Sequence, residues 1–232
     1  AALVVLPFAA APATASWPYL VLTTAIHAGY YVFLLRAYRI GDLSQVYPIA
    51  RGGSPLLLAL VSGPLIGEHL SEQQYAGVLL ISLGLASLSL GRGNRRAILY
   101  AFGTACFIAA YSVVDALGVR LSESALGYIA WLFLIDGLMM IGFSTAYRRR
   151  SFFGFLAAGW KQSLIGGLLA VTGYGIVVWC YGFGTVAPIS ALRETSVVFA
   201  ALIGTIVLGE PFGLRRVIAA TVVASGILVM NV

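Results

Sequence analysis

The chain has 232 residues, 60% of them hydrophobic and 9% charged, with a mean hydropathy of +0.97. Soluble domains carry roughly 45–50% apolar and about 25% charged residues, so this composition excludes an ordinary soluble enzyme or binding module and implies a polytopic membrane protein. The net charge of +6 does not point to nucleic acid, because no basic face alternates with aromatics, and the arginines sit between apolar stretches, where positive charge reports topology.

A bilayer core of about 30 Å needs roughly 20 apolar residues per helix. Apolar stretches at 18–39, 44–66, 73–91, 96–119, 125–147, 162–183, 186–208 and 214–231 predict eight full spans. Ahead of them, Ala1 to Ala11 has no initiator Met, basic n-region or cleavage site, and it reads as the end of a truncated helix rather than a signal peptide.

The first span carries His27 beside Tyr30 and Tyr31, with His27 and Tyr31 one turn apart on one face. An imidazole there can relay protons, or bond a tyrosine or a backbone carbonyl. In the second span Arg51 is surrounded by Pro48, Pro55 and Gly52-Gly53. Proline removes a backbone donor and glycine loosens the ladder, so a broken helix lining a cavity is expected around Arg51.

The fourth span holds Tyr111 and Asp115; Asp115 lies close to the span's end, beside Arg120, and is expected at the membrane interface. Asp136 is halfway along the fifth, in WLFLIDGLMMIGF. It reads either as a proton-coupling carboxylate or as the permanent partner of a buried arginine. The sixth span carries Tyr174 and Trp179, and its glycines Gly166, Gly167, Gly173, Gly175 and Gly182, with Gly184 just beyond, predict a face for close helix packing. Arg193 and Glu194 lie in the seventh, after Pro188. Cys106 and Cys180 have no metal-like spacing and read as small buried hydrophobes.

Two of these stretches are copies of one another. VYPIARGGSPLLLALVSGPLIGEHL returns as PISALRETSVVFAALIGTIVLGEPF, and a constant offset of 142 residues sets Glu68 on Glu210, Arg51 on Arg193 and Gly84 on Gly226. The repeats divide the chain into 1–92 and 93–232. Shifting the start of the second repeat back by the same offset overshoots residue 1, so about one and a half helices of the first are expected to be missing, leaving about eight and a half to nine of ten.

Charges in corresponding loops swap: GEHLSEQQ has no Lys or Arg where its partner reads GEPFGLRR, and APATASWP is uncharged where its partner reads RRRSFFGFLAAGWK. Equivalent loops therefore lie on opposite faces, as in inverted repeats with an odd number of helices each. The arginine-rich connections near residues 40, 93, 155 and 212 are expected in the cytoplasm, which puts the C-terminus outside.

YPIARG with its following proline, the paired ALRETS, and the Gly-Glu closing each helix resemble the EamA-type transporters of the drug/metabolite transporter superfamily, over essentially the whole chain. The resemblance implies an all-α polytopic membrane protein of ten helices in two inverted five-helix halves. It also implies a secondary transporter, often an exporter, of a small polar metabolite, amino acid or drug across the bacterial inner membrane. Members usually keep both termini in the cytoplasm, and the arginine count here departs from that.

An ionisable side chain inside a span costs roughly 2.5–3.5 kcal/mol on insertion scales, so each is a functional candidate with a partner to be named. Arg51, Arg193 and Glu194, with Tyr47, Tyr111, Tyr174 and Trp179, form the candidate substrate site. Two guanidinium forks would hold a carboxylate or phosphate, and tyrosines would stack on a ring or a cation. The alternative for each arginine is a structural ion pair with Glu194, Asp136 or Asp115. Asp136, His27 and Asp115 are the candidates for proton coupling. Glu68 and Glu210, at helix ends, read as structural partners of loop amides or arginines.

No HExxH, GxSxG, phosphate loop or Cys/His constellation occurs, so an intramembrane enzyme is disfavoured and no cofactor or metal is expected. A non-transporting scaffold that keeps the fold is the other alternative. The expected partners are a small-molecule substrate, the lipid bilayer and protons as candidate coupling ion, with the protein a monomer or homodimer.

Overall fold

A computed structural model of the chain describes residues 5–89, 94–148, 154, 159–196, 199 and 214–230. They form eight α-helices: α1 Trp17–Ile40, α2 Leu43–Ile66, α3 Glu72–Ser87, α4 Arg95–Arg120, α5 Ala125–Arg148, α6 Trp160–Tyr181, α7 Val186–Arg193 and α8 Leu214–Met230. Short 3-10 turns at Leu6–Phe8 and Thr14–Ser16 precede α1, and no strand occurs among the described residues. Among the described residues, five helical stretches are long and apolar enough to cross a bilayer: Thr14–Ile40, Val46–Ile66, Arg95–Arg120, Ala125–Ala146 and Trp160–Tyr181. The second half of the expected seventh span lies largely outside the described residues.

Two compact units emerge, and neither is a continuous half of the chain. One comprises Ala1–His27 and Val114–Phe183, the other Ala28–Val113 and Gly184–Val232, so α1 and α4 each contribute to both.

In the second unit α3 packs along α8, and the contacts are reciprocal. A Cβ added to Gly84 would meet Val223 Cγ2 at 3.0 Å and the Ala219 carbonyl at 3.2 Å. One added to Gly226 would meet Ile81 Cγ1 at 2.7 Å and the Gly77 carbonyl at 2.8 Å. Under the 142-residue offset Gly84, Ile81 and Gly77 become Gly226, Val223 and Ala219, so each contact maps onto the other. The helix pair thus has the local pseudo-two-fold relation expected of an inverted duplication, and small residues let the two backbones approach at its centre.

The helix carrying Arg51 is continuous, which corrects the expectation of a break. α2 runs through Pro48, Pro55 and Pro64 without interruption. Pro55 cannot donate to the Arg51 carbonyl four residues earlier, and the Ser54 hydroxyl donates to that oxygen instead, at 3.3 Å. Gly52 and Gly53 are contact points: a Cβ at Gly52 would lie 2.9 Å from Leu85 Cβ of α3, and one at Gly53 would lie 3.1 Å from Ala105 Cβ of α4. The interruption falls in the other repeat, where α7 ends at Arg193 and the amides of Glu194 and Thr195 turn back to the carbonyls of Ala191 and Leu192, each at 3.0 Å.

The Gly-Glu ending has a separate job for each residue. Gly67 stops α2 in the left-handed conformation, φ 71, which glycine adopts without a Cβ penalty. Glu68 then reaches α7, its Oε2 accepting the Val186 amide at 2.9 Å. That amide is one of the orphan donors of a helix N-terminus, and a carboxylate suits the positive end of the helix. Glu210 lies outside the described residues.

In the first unit α5 packs against α6. The expected glycine packing on α6 is only partly present: Gly175 meets Ile129 and Phe133 of α5, whereas a Cβ at Gly166, Gly167 or Gly173 would meet nothing within 4 Å. Arg120 Nε donates to the Tyr181 carbonyl at 2.9 Å, a cation at the C-terminal end of α6 where the helix dipole favours it.

Candidate functional site

The three charged residues of the repeated segments meet in the second unit. Glu194 is fully buried, and its two carboxylate oxygens are divided between two guanidiniums. Arg51 Nε lies 3.2 Å from Oε2, and Arg193 approaches Oε1 with Nε and Nη2, both at 3.0 Å. The Arg193 Nε contact is a hydrogen bond; that of Arg51 is an ion pair without hydrogen-bond alignment. The Arg51 side chain keeps 25% of its surface accessible, and that of Arg193 keeps 11%.

Tyrosines from three helices surround this cluster. The Arg51 guanidinium carbon sits 5.5 Å from the centre of the Tyr47 ring, within cation–π range. Tyr30 and Tyr111 stack edge to face at 5.7 Å, and both lie within electrostatic reach of Arg51. Arg51, Arg193, Glu194, Tyr47 and Tyr111, singled out in the sequence, therefore come together. Tyr30 joins them from α1.

A second polar cluster occupies the first unit and centres on Asp115, which is fully buried. This corrects the expectation that Asp115 lies at the interface. Tyr128 of α5 donates to Oδ1 at 3.2 Å and Tyr174 of α6 to Oδ2 at 2.7 Å. Thr23 and His27 of α1 lie within electrostatic reach of the carboxylate, with Thr23 Oγ1 3.4 Å from His27 Nδ1. His27 Nδ1 lies 2.9 Å from the Thr23 carbonyl, which assigns the Nδ1 proton to that bond. The His27 ring meets that of Tyr174 edge to face at 6.4 Å.

Residues near the chain's turns explain how four helices reach one carboxylate. Asp115 and Tyr128 flank the short connection between α4 and α5, one five residues before Arg120 and the other three after Ala125, so the antiparallel pair brings them level. Gly118, one turn after Asp115, makes room for the phenol, because a Cβ there would meet Tyr128 Cε2 at 2.6 Å. Tyr128 and Thr23 were not among the sequence candidates; counting outward from the connection would have paired Tyr128 with Asp115.

Tyr174 thus bonds Asp115. Trp179 is exposed and stacks on Phe183 at 4.7 Å. Asp136 is half-buried on α5. Cys106 is exposed, which corrects its reading as buried, and Cys180 is half-buried; both are free thiols. No group of three or more His, Cys, Asp and Glu suited to a metal occurs among the described residues.

Residues 95–232 match the family described as the EamA-like transporter family. The chain belongs to that family. It is accordingly a multi-pass membrane protein of the drug/metabolite transporter superfamily, a group that moves small molecules through the lipid bilayer. A solved structure titled only "Crystal structure of protein" superposes on this EamA member with a TM-score of 0.67 at 21% identity, covering 93% of this chain and 78% of the other. At that identity the likeness shows the shared fold alone. No curated protein matches.

Proposed function

We propose that this EamA member is a secondary transporter, working as an exporter, of a small polar metabolite, amino acid or drug-like compound bearing an anionic group, and that it acts in the bacterial inner membrane by alternating access of its two inverted repeats. One observation carries this reading: a single buried carboxylate is shared by two guanidiniums, and one of them, Arg51, stays a quarter accessible beneath a tyrosine ring. A guanidinium fork matches a carboxylate or phosphate bidentately, so an incoming anion competes with Glu194 for Arg51. Because Arg51 and Arg193 are equivalent positions of the two repeats, exchanging Glu194 for substrate changes contacts in both halves at once.

Counterflow in proteoliposomes, across a panel of amino acids and organic acids, tests the reading. Wild-type protein is expected to exchange at least one anionic compound, Arg51→Ala to lose that exchange, and Arg51→Lys to retain part of it. No exchange of any compound, or exchange unaffected by Arg51→Ala, overturns the proposal. The ion pairs also suit a scaffold in which the arginines only lock helices together; that reading requires Arg51→Ala to lower thermal stability while no flux exists to be lost.

A further inference from the structure

The Asp115 cluster takes no part in the anion site just proposed. None of its members belongs to the arginine group, yet it places a fully buried carboxylate beside a histidine inside membrane-spanning helices. Such groups cost several kcal/mol to bury unless they are paired or serve a purpose. We infer that Asp115, with His27, is the site that binds and releases the coupling proton of this transporter, an inference that rests on the transport reading above.

The geometry supplies what a proton site requires. Asp115 accepts hydrogen bonds from two other helices, through Tyr128 of α5 and Tyr174 of α6, and Thr23 and His27 of α1 lie within electrostatic reach of it. On its own helix the neighbouring charge is Arg120, whose Nε is taken by the Tyr181 carbonyl. With Asp115 ionised, the Tyr128 and Tyr174 hydroxyls both donate to the carboxylate.

A proton taken from water forms an O–H bond on one Asp115 oxygen. That oxygen changes from acceptor to donor and the carboxylate charge disappears. The tyrosine bonded to it must turn or let go. Release of the proton to water on the opposite side restores the charge and the bond. Since Tyr128 and Tyr174 are carried by α5 and α6, the two protonation states hold these helices to α4 with different strength, which links proton occupancy to helix movement.

Infrared difference spectra of the purified full chain in liposomes, titrated from neutral to acid pH, test the proton site without any substrate. The carbonyl stretch of a protonated carboxylic acid is expected to appear in wild type, to vanish in Asp115→Asn and to persist in Asp136→Asn. In Tyr174→Phe the same band is expected at higher wavenumber, because a carbonyl accepting fewer hydrogen bonds is stiffer. A band unchanged by Asp115→Asn overturns the inference.

Flux supplies the second reading. Asp115→Asn, which preserves the shape and keeps one acceptor oxygen while its NH2 donates as a protonated carboxyl would, is expected to lose uptake driven by a pH gradient while counterflow at equal pH continues. Gradient-driven uptake that survives in Asp115→Asn overturns the inference, as does loss of counterflow in protein of unchanged melting temperature. Absence of wild-type counterflow for every compound would instead sink the transport proposal, leaving the infrared titration to decide the proton site.

Discussion

The carboxylate of Glu194 lies 3.2 Å from Nε of Arg51, and Glu194 stands in the second repeat where Gly52, the next residue after Arg51, stands in the first. Symmetry brings the two arginines into one cluster, and the departure from symmetry provides their shared acid. The first repeat cannot carry an equivalent glutamate, since Gly52 is pressed against Leu85 and the Ser82 carbonyl of α3.

Glu194→Gln keeps the size of the side chain and removes the charge that the two guanidiniums share. Breaking a buried ion pair costs about 3–5 kcal/mol, and the partial accessibility of Arg51 places the loss near the lower end. A clear fall in the melting temperature of detergent-purified protein is expected, with partial recovery when Arg51→Met is added. An unchanged melting temperature would show that the arginines do not depend on Glu194.

The α3–α8 crossing is predicted to reject side chains at its glycines. Gly226→Leu drives carbon atoms into Ile81 and the Gly77 carbonyl, and a backbone oxygen cannot move aside as a flexible side chain can. Overpacking of this kind costs typically about 1–3 kcal/mol. Melting curves should order wild type above Gly226→Ala and that above Gly226→Leu, whereas Gly166→Ala, where a Cβ meets nothing within 4 Å, should sit close to wild type.

Glu68→Ala leaves the Val186 amide without its acceptor at the start of α7. Loss of a side-chain cap costs about 0.5–2 kcal/mol, and faster hydrogen exchange at residues 186–189 is the direct readout. Gly67→Ala acts at the same junction by forcing a β-carbon into the left-handed region at φ 71, with an expected loss of about 1–2 kcal/mol. Equal exchange rates in Glu68→Ala and wild type would remove the capping role.

The arginine asymmetry between loops predicts sidedness. In a Cys106→Ser, Cys180→Ser background, a cysteine replacing Glu123 should react with a membrane-impermeant maleimide in intact cells, and one replacing Asn94 only after the membrane is opened. Both positions are exposed, so labelling reports the side and not burial. The reverse pattern would invert the orientation.

Much of the architecture is written in the sequence because the bilayer makes it one-dimensional. An apolar run of about 20 residues has one stable outcome, and helices occupy every expected span, with α7 described over only the first part of its own. The 142-residue offset set Gly84 on Gly226 as well, but that these two positions pack against each other's helices came only from the structure. Arg51, Arg193 and Glu194 stood out in the sequence because a charge in an apolar stretch is conspicuous.

Tertiary packing decided what those residues do. Proline and glycine around Arg51 read locally as a break, yet Ser54 replaces the missing donor and neighbouring helices fill the glycine notches, so α2 stays whole while the interruption falls after Arg193. Distance from a span's end placed Asp115 at the interface. Its burial comes from a hairpin that turns Tyr128 back over Gly118 and from α1 and α6 closing around it. Which helices lie around a side chain, and which donors they turn toward it, is a property of the packed bundle and cannot be read from position along the chain.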